Sequence, residues 1–265
     1  MYRIVTGGDR CPGHPVSQAM QIEAGAGIEA HNSYRVQRRV GGIVIGGEES
    51  VAEETPVALV YNGISHAVMM ATPDDLEDFA LGFSLSECIV RRPGEILDLD
   101  VMERDNGIEI QMRVSAERAL QLKEFRRSMA GRTGCGLCGT ESLDQLKRRA
   151  SRVDSEAVLS SGALPRALAS LESMQRLFRL TGAVHAAAWC NAQGAIELVR
   201  EDVGRHNALD KVIGAVAAQR GDFGAGFVLM TSRASYEIVQ KAAAAGIAVV
   251  AAVSAATGMA VRVAE

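Results

Sequence analysis

Two thiols, Cys135 and Cys138, stand three positions apart in Gly-Arg-Thr-Gly-Cys-Gly-Leu-Cys-Gly-Thr-Glu-Ser, residues 131 to 142, of a chain with five cysteines. Three chemistries use such a pair. Structural zinc needs four ligands, and a CxxC supplies two at a suitable spacing. The chain has no second CxxC and no HxxxH, while Cys88 and Cys190 lie in apolar patterns where a free cysteine is usually a small hydrophobe. A zinc shared across a dimer stays open. A redox couple wants CxxC directly after a strand, at a helix N-terminus that depresses one thiol pKa. Here it follows EFRRSMAGR, a basic helix end. A sulfur handle needs a thiolate and freedom to swing. Arg126, Arg127 and Arg132 before the thiols and Lys147, Arg148 and Arg149 after them favour thiolate, and glycines 134, 136 and 139 suit a swinging loop. The bland counterpart is a solvated basic surface.

A second constellation is REDVGRHNALDKV, residues 200 to 212. A strand ending at Glu201 or Asp202, a turn at Gly204 and a helix capped by Asn207 would set Arg205 and His206 beside a helix N-terminus. Cations are disfavoured there unless an anion joins them, so the pattern points to a phosphate or another anionic ligand. The alternative is a surface pair of Asp202 with Arg205. Thr231, Ser232 and Arg233 end the next apolar run and Ser254 ends the last, and ligands of open α/β sheets bind beyond the carboxyl ends of strands. Hydroxyl donors and an arginine there fit a second phosphate or a guanine. His185 in AVHAAAW resembles the HxE zinc motif of nucleobase deaminases, but Ala187 holds the place of the essential glutamate and no proline precedes the cysteines. A satisfied core histidine is the simpler reading. GDFGAG, residues 221 to 226, precedes a strand instead of following one and reads as a plain turn.

These residues need elements to hold them. Residues 1 to 34 carry no hydrophobic period and read as a mobile tail. Residues 35 to 130 read as a small α+β domain: TPVALVYNGISHAVMM is a hairpin around Asn62-Gly63, ILDLDVMERDNGIEIQMRV a second around Asn106-Gly107. Between them Thr72 and Pro73 fit the start of a helix with Leu76, Phe79, Ala80, Phe83 and Glu87 on one stripe, and Ser115 fits the cap of another. Residues 131 to 158 form a polar linker carrying the thiols, read as a mobile loop. Residues 159 to 265 alternate helix and strand patterns: a helix over 164 to 180 stopped near Gly182, AVHAAAW, AIELVRE, a helix from Asn207, FVLMTSR, SYEIVQKAAAAG and IAVVAAVS. Continuous apolar strands imply burial on both faces, and the expectation is an α/β layer with parallel pairing.

Composition narrows the function. Hydrophobic residues make up 48% and charged residues 23%, ordinary for a globular chain of 265 residues. With 28 basic and 32 acidic residues the net charge is −4, so no global positive field recruits nucleic acid or an anionic membrane. No apolar run spans a bilayer, MYRIVTGGDR is no signal peptide, and a cytoplasmic location with reduced thiols is expected.

GCGLCG, REDVGRHNALDK and TSRASYEIVQKAA occur in the order in which they occur in the FdhD family, sulfurtransferases required to activate formate dehydrogenase, and the likeness spans residues 40 to 258. The resemblance implies an α/β fold in which a small α+β domain precedes a cytidine-deaminase-like three-layer αβα domain. It implies a carrier that accepts persulfide sulfur from a cysteine desulfurase and passes it to the molybdenum (or tungsten) bis-guanine-dinucleotide cofactor, which a guanine nucleotide is expected to mimic. Cys135 would bear the persulfide with Cys138 as partner. Arg205, His206, Thr231, Ser232 and Arg233 would meet the cofactor, and the protein would pair as a homodimer and serve formate dehydrogenase. The rival is a cofactor or nucleotide chaperone without sulfur transfer. Relatives continue past the segment SAATGMAVRVAE, where Ala256 stands in the place of a usual proline, through a further strand and a loop with Gly and Arg. The sequence stops at Glu265, so the expectation is either a truncated sequence or the absence of a sheet edge and part of that site.

Overall fold

A computed structural model describes residues 28 to 40, 43 to 127, 152 to 155 and 157 to 265. Residues 1 to 27 and the thiol segment with Cys135 and Cys138 lie outside the described residues, while the expected tail over 1 to 34 is corrected at its end, where His31 to Tyr34 already belong to a paired strand. No helix among the described residues is long and apolar enough to cross a membrane.

Strands β1 (His31–Val40) and β2 (Ile43–Ala52) form an antiparallel ribbon. β3 (Thr55–Tyr61) and β4 (Ile64–Ala71) then form the expected hairpin, with Asn62 and Gly63 both at positive φ, 49° and 76°, as a two-residue turn of matching twist requires. β5 (Ile96–Arg104) and β6 (Gly107–Val114) form the second hairpin, whose loop residues are Asp105 and Asn106. A parallel β3–β6 pair joins the hairpins into one sheet in the order β4-β3-β6-β5.

Helix α1 (Leu76–Ser86) lies between the hairpins in sequence, and α2 (Ala116–Arg127) follows β6, with Ser115 Oγ accepting from the Arg118 N–H at 3.4 Å. The expected start of α1 at Thr72 and Pro73 is displaced to Leu76. Tertiary bonding outcompetes the local capping preference: the Thr72 N–H donates to Asp202 Oδ2 at 3.0 Å, and Thr72 Oγ1 accepts from the Val203 N–H at 3.1 Å.

Helices α3 (Ala163–Met174) and α4 (Arg176–Thr181) replace the single helix expected over 164 to 180, and Gly182 ends α4 at φ 65°. The break at Gln175 frees first-turn N–H groups of α4, and Glu201 accepts from Leu177 and Phe178 at 2.7 and 2.8 Å. β7 (His185–Asn191), β8 (Ile196–Asp202), α5 (Arg205–Ala218), β9 (Gly226–Met230), α6 (Tyr236–Ala244), β10 (Val250–Ala252) and α7 (Gly258–Ala264) complete the chain.

The second sheet runs β10-β9-β7-β8, and only β9–β10 is parallel. The expectation of parallel pairing therefore holds for β9 with β10 and is corrected for the two pairs that β7 makes. The short β7–β8 turn permits only an antiparallel pair, and α5 then carries the chain across β7 to β9. The apolar run of β7 reflects burial on both faces, which helices supply whatever the strand direction. Ala187, Trp189, Val228 and Met230 share a core with Leu209, Val212 and Ile213 of α5, while Ala188, Cys190, Phe227 and Leu229 pack with Ala163, Ala167 and Leu171 of α3.

The first core also takes in Val57, Leu59, Phe79, Phe83 and Ile110, so the sheets share one hydrophobic interior through α1 and α5. These helices touch backbone to backbone: a Cβ on Gly82 would collide with the Asp210 carbonyl, and one on Gly214 with the Asp78 carbonyl. Two ionic clusters close this interior. Lys241 donates to both carboxylate oxygens of Asp210 at 3.1 and 2.9 Å, and to Ser86 Oγ at 3.0 Å, and stands 2.9 Å from Glu87. Burial alone would push the Lys241 ammonium down, but Asp210 and Glu87 reverse that and hold it protonated. Glu87 thus caps the end of α1 and pairs with Lys241 instead of extending the apolar stripe.

Candidate anion site at two helix N-termini

β8 ends at Asp202, whose side chain has no solvent exposure and organises the turn that follows. Its Oδ1 accepts from the Gly204 N–H at 2.7 Å and from Asn207 Nδ2 at 2.9 Å; its Oδ2 stands 2.8 Å from the equally buried Lys211 Nζ. Lys211 also donates to the Thr72 carbonyl at 2.9 Å, and Asn207 Nδ2 to the Met70 carbonyl at 2.8 Å. Every partner here is satisfied inside the protein, which is the condition under which a buried ion pair persists.

This corrects two expectations. Gly204, not Asn207, is the residue preceding α5, and Asn207 sits within the first turn with its side chain braced on Asp202. Asp202 belongs to Lys211 and is not the surface partner of Arg205.

The consequence is positional. Arg205 and His206 open α5, and α6 brings Glu237 in its own first turn against both: His206 Nε2 lies 2.8 Å and Arg205 Nη2 4.0 Å from Glu237 Oε2. The His206 contact is close without the alignment of a hydrogen bond, and Arg205 Nε is buried with no hydrogen-bond partner. His206 and, more weakly, Arg205 hold the Glu237 carboxyl below the usual carboxylate range, against the opposing effect of burial.

His185, at the start of β7 opposite Asp202, completes the electrostatics. Burial first, then the charge of Arg205 and a smaller contribution from His206, push its imidazole toward the neutral form, and Asp202 only partly offsets them.

Thr231 follows β9, where its hydroxyl accepts from the Ala186 N–H at 2.8 Å, one residue from His185. Ser232 is buried with its hydroxyl on the Arg233 carbonyl at 3.2 Å, and Arg233 is exposed. Ser235 precedes α6 without capping it, its buried hydroxyl left without a hydrogen-bond partner. Thus Arg205 and His206 are brought together by direct contact with Glu237. Thr231 ties to the β7 end of the same sheet, and Cys135 and Cys138 lie outside the described residues.

Sequence reasoning missed Glu237, Ser235 and the role of His185. Glu237 had a signal, since an acidic residue in the first turn of SYEIVQKAA was bound to lie near any anion site at that terminus. The donor set is cationic and hydroxylic, which fits phosphate oxygens and not a metal ion; among the described residues no group of three His, Cys, Asp or Glu side chains could hold one.

The motifs and the fold agree with known proteins. Residues 52 to 265 match the model of the FdhD/NarQ family. The sulfur carrier protein FdhD of Cupriavidus necator is 55% identical over 235 residues, covering 89% of this chain and 82% of the relative. That of Bordetella petrii is 54% identical over 232 residues, covering 87% and 84%. A crystal structure described as a formate dehydrogenase accessory protein from Desulfotalea psychrophila superposes with a TM-score of 0.69 at 22% identity, covering 89% of this chain and 88% of that one, and so supports the mixed α/β fold. The chain belongs to the FdhD/NarQ family.

Proposed function

We propose that this sulfur carrier takes persulfide sulfur from a cysteine desulfurase onto Cys135 and delivers it to the molybdenum bis-guanine-dinucleotide cofactor of formate dehydrogenase. The Cys135 thiolate attacks the terminal sulfur of the donor's persulfide, so that the donor leaves as thiolate and Cys135 gains one sulfur with no net redox change. Attack by the Cys138 thiolate on the Cys135 sulfur then frees hydrosulfide and leaves a Cys135–Cys138 disulfide, which balances the electrons of delivery. Thiolate character comes from the flanking arginines and lysines.

The observation that carries the receiving half is the pairing of Arg205 and His206 at the start of α5, with a guanidinium nitrogen left without a partner. Those groups would hold the cofactor's phosphates, and Thr231, Ser232 and Arg233 its neighbouring phosphate or guanine edge. The protein would act in the cytoplasm as a homodimer. The test is formate dehydrogenase activity in cells lacking the endogenous carrier. The wild-type chain is expected to restore it and Cys135→Ala/Cys138→Ala to fail while remaining folded. Full restoration by the double variant would instead favour a cofactor chaperone that carries no sulfur.

A further inference from the structure

The anion site contains an anion of its own. Among the described residues Glu237 is the carboxylate that reaches both Arg205 and His206 at the distances given above, and it does so from the first turn of α6, where the helix end favours negative charge. The other nearby carboxylate, Asp202, is consumed by Lys211, Gly204, Asn207 and Thr72. Glu237 nevertheless leaves the site unfinished: Arg205 Nε and the Ser235 hydroxyl are buried without hydrogen-bond partners. One carboxylate shared between a guanidinium and an imidazole leaves donors of the site unbonded.

We infer that Glu237 is a resident counter-ion that an incoming phosphate group displaces, and that it sets which anions the site accepts. This inference rests on the reading of the site as a phosphate-binding one. An anion must replace the contacts Glu237 makes with Arg205 and His206, so singly charged ions gain little from entering. A diphosphate brings more charge and more acceptor oxygens than the carboxylate it displaces, enough to take up Arg205 Nε and the Ser235 hydroxyl as well. Glu237 therefore acts as a specificity-determining residue that lowers affinity for every anion and leaves only polyphosphates with useful binding.

The test is calorimetric titration of GDP, pyrophosphate and acetate into the wild-type protein and into Glu237→Gln, Glu237→Asp and Arg205→Ala. Removing one displaced negative charge is expected to tighten GDP and pyrophosphate about tenfold in Glu237→Gln. Acetate binding, absent in the wild type, should become measurable. Glu237→Asp keeps the charge but withdraws it from His206, and is expected to tighten diphosphate by a smaller factor. Unchanged or weaker diphosphate binding in Glu237→Gln, in protein of wild-type melting temperature, overturns the counter-ion role. So does a Glu237→Asp variant indistinguishable from wild type, because charge at a distance would then suffice. If Arg205→Ala binds GDP as well as the wild type does, or none of the four proteins binds it, the phosphate-site reading itself fails and the inference falls with it. Loss of GDP in Arg205→Ala without gain in Glu237→Gln sinks only the inference.

Discussion

Two ionic clusters draw on α5, one through Lys211 and one through Arg205 and His206, and they differ in completeness. Asp202 and Lys211 are fully buried, and the bonds of the pair end on other protein groups: Thr72, Gly204, Asn207 and backbone carbonyls. Arg205, His206 and Glu237 are partly open, set one carboxylate against a guanidinium and an imidazole, and leave a guanidinium nitrogen unbonded. The closed cluster has finished its chemistry in folding, while the open one holds bonding capacity for a ligand. The difference teaches that charge alone does not mark a site; unspent donors do.

Removing Asp202 should have the largest effect. Asp202→Ala leaves Lys211 buried without its counter-charge and frees the turn, and is expected to cost about 3 to 5 kcal/mol in chemical denaturation. Arg205→Ala inverts the pattern: its stability is expected to stay within about 1 kcal/mol of wild type, with GDP affinity falling at least about tenfold. If instead Arg205→Ala destabilises as much as Asp202→Ala, the two clusters do not differ in kind.

A smaller effect separates them by pH. Because the folded Glu237 carboxyl lies below its unfolded value of about 4.5, its contribution is complete above that value and is lost as pH falls through the folded pKa. Denaturation midpoints between pH 6 and pH 3 should therefore fall less steeply for Glu237→Gln than for wild type, by under about 1 kcal/mol given its partial exposure. The smallest expected signal is at Cys190. Burial raises its thiol to about 12, so it should resist iodoacetamide at pH 8 in the folded protein and react once denaturant is added.

Local chemistry was legible where local rules decide. Asn62-Gly63 dictated its hairpin, the apolar run of β7 its burial, and the REDVGRHN pattern the strand end and helix start around Arg205 and His206. What escaped depends on partners distant in sequence. Thr72 could not be seen to prefer Asp202, 130 positions away, over capping its own helix. Strand direction in the second sheet was misread because a doubly covered antiparallel strand has the same apolar texture as a parallel one. Glu237 escapes notice because an acidic residue in a first helical turn is ordinary until another helix brings an arginine and a histidine to it.

The central claim is that this chain carries sulfur on Cys135. The most direct measurement is the mass of the Cys135 peptide after the protein is incubated with a cysteine desulfurase and cysteine. The account predicts the added mass of one sulfur atom, removed by reductant and absent from Cys135→Ala. A peptide of unchanged mass, alongside a desulfurase that turns over normally, would contradict it.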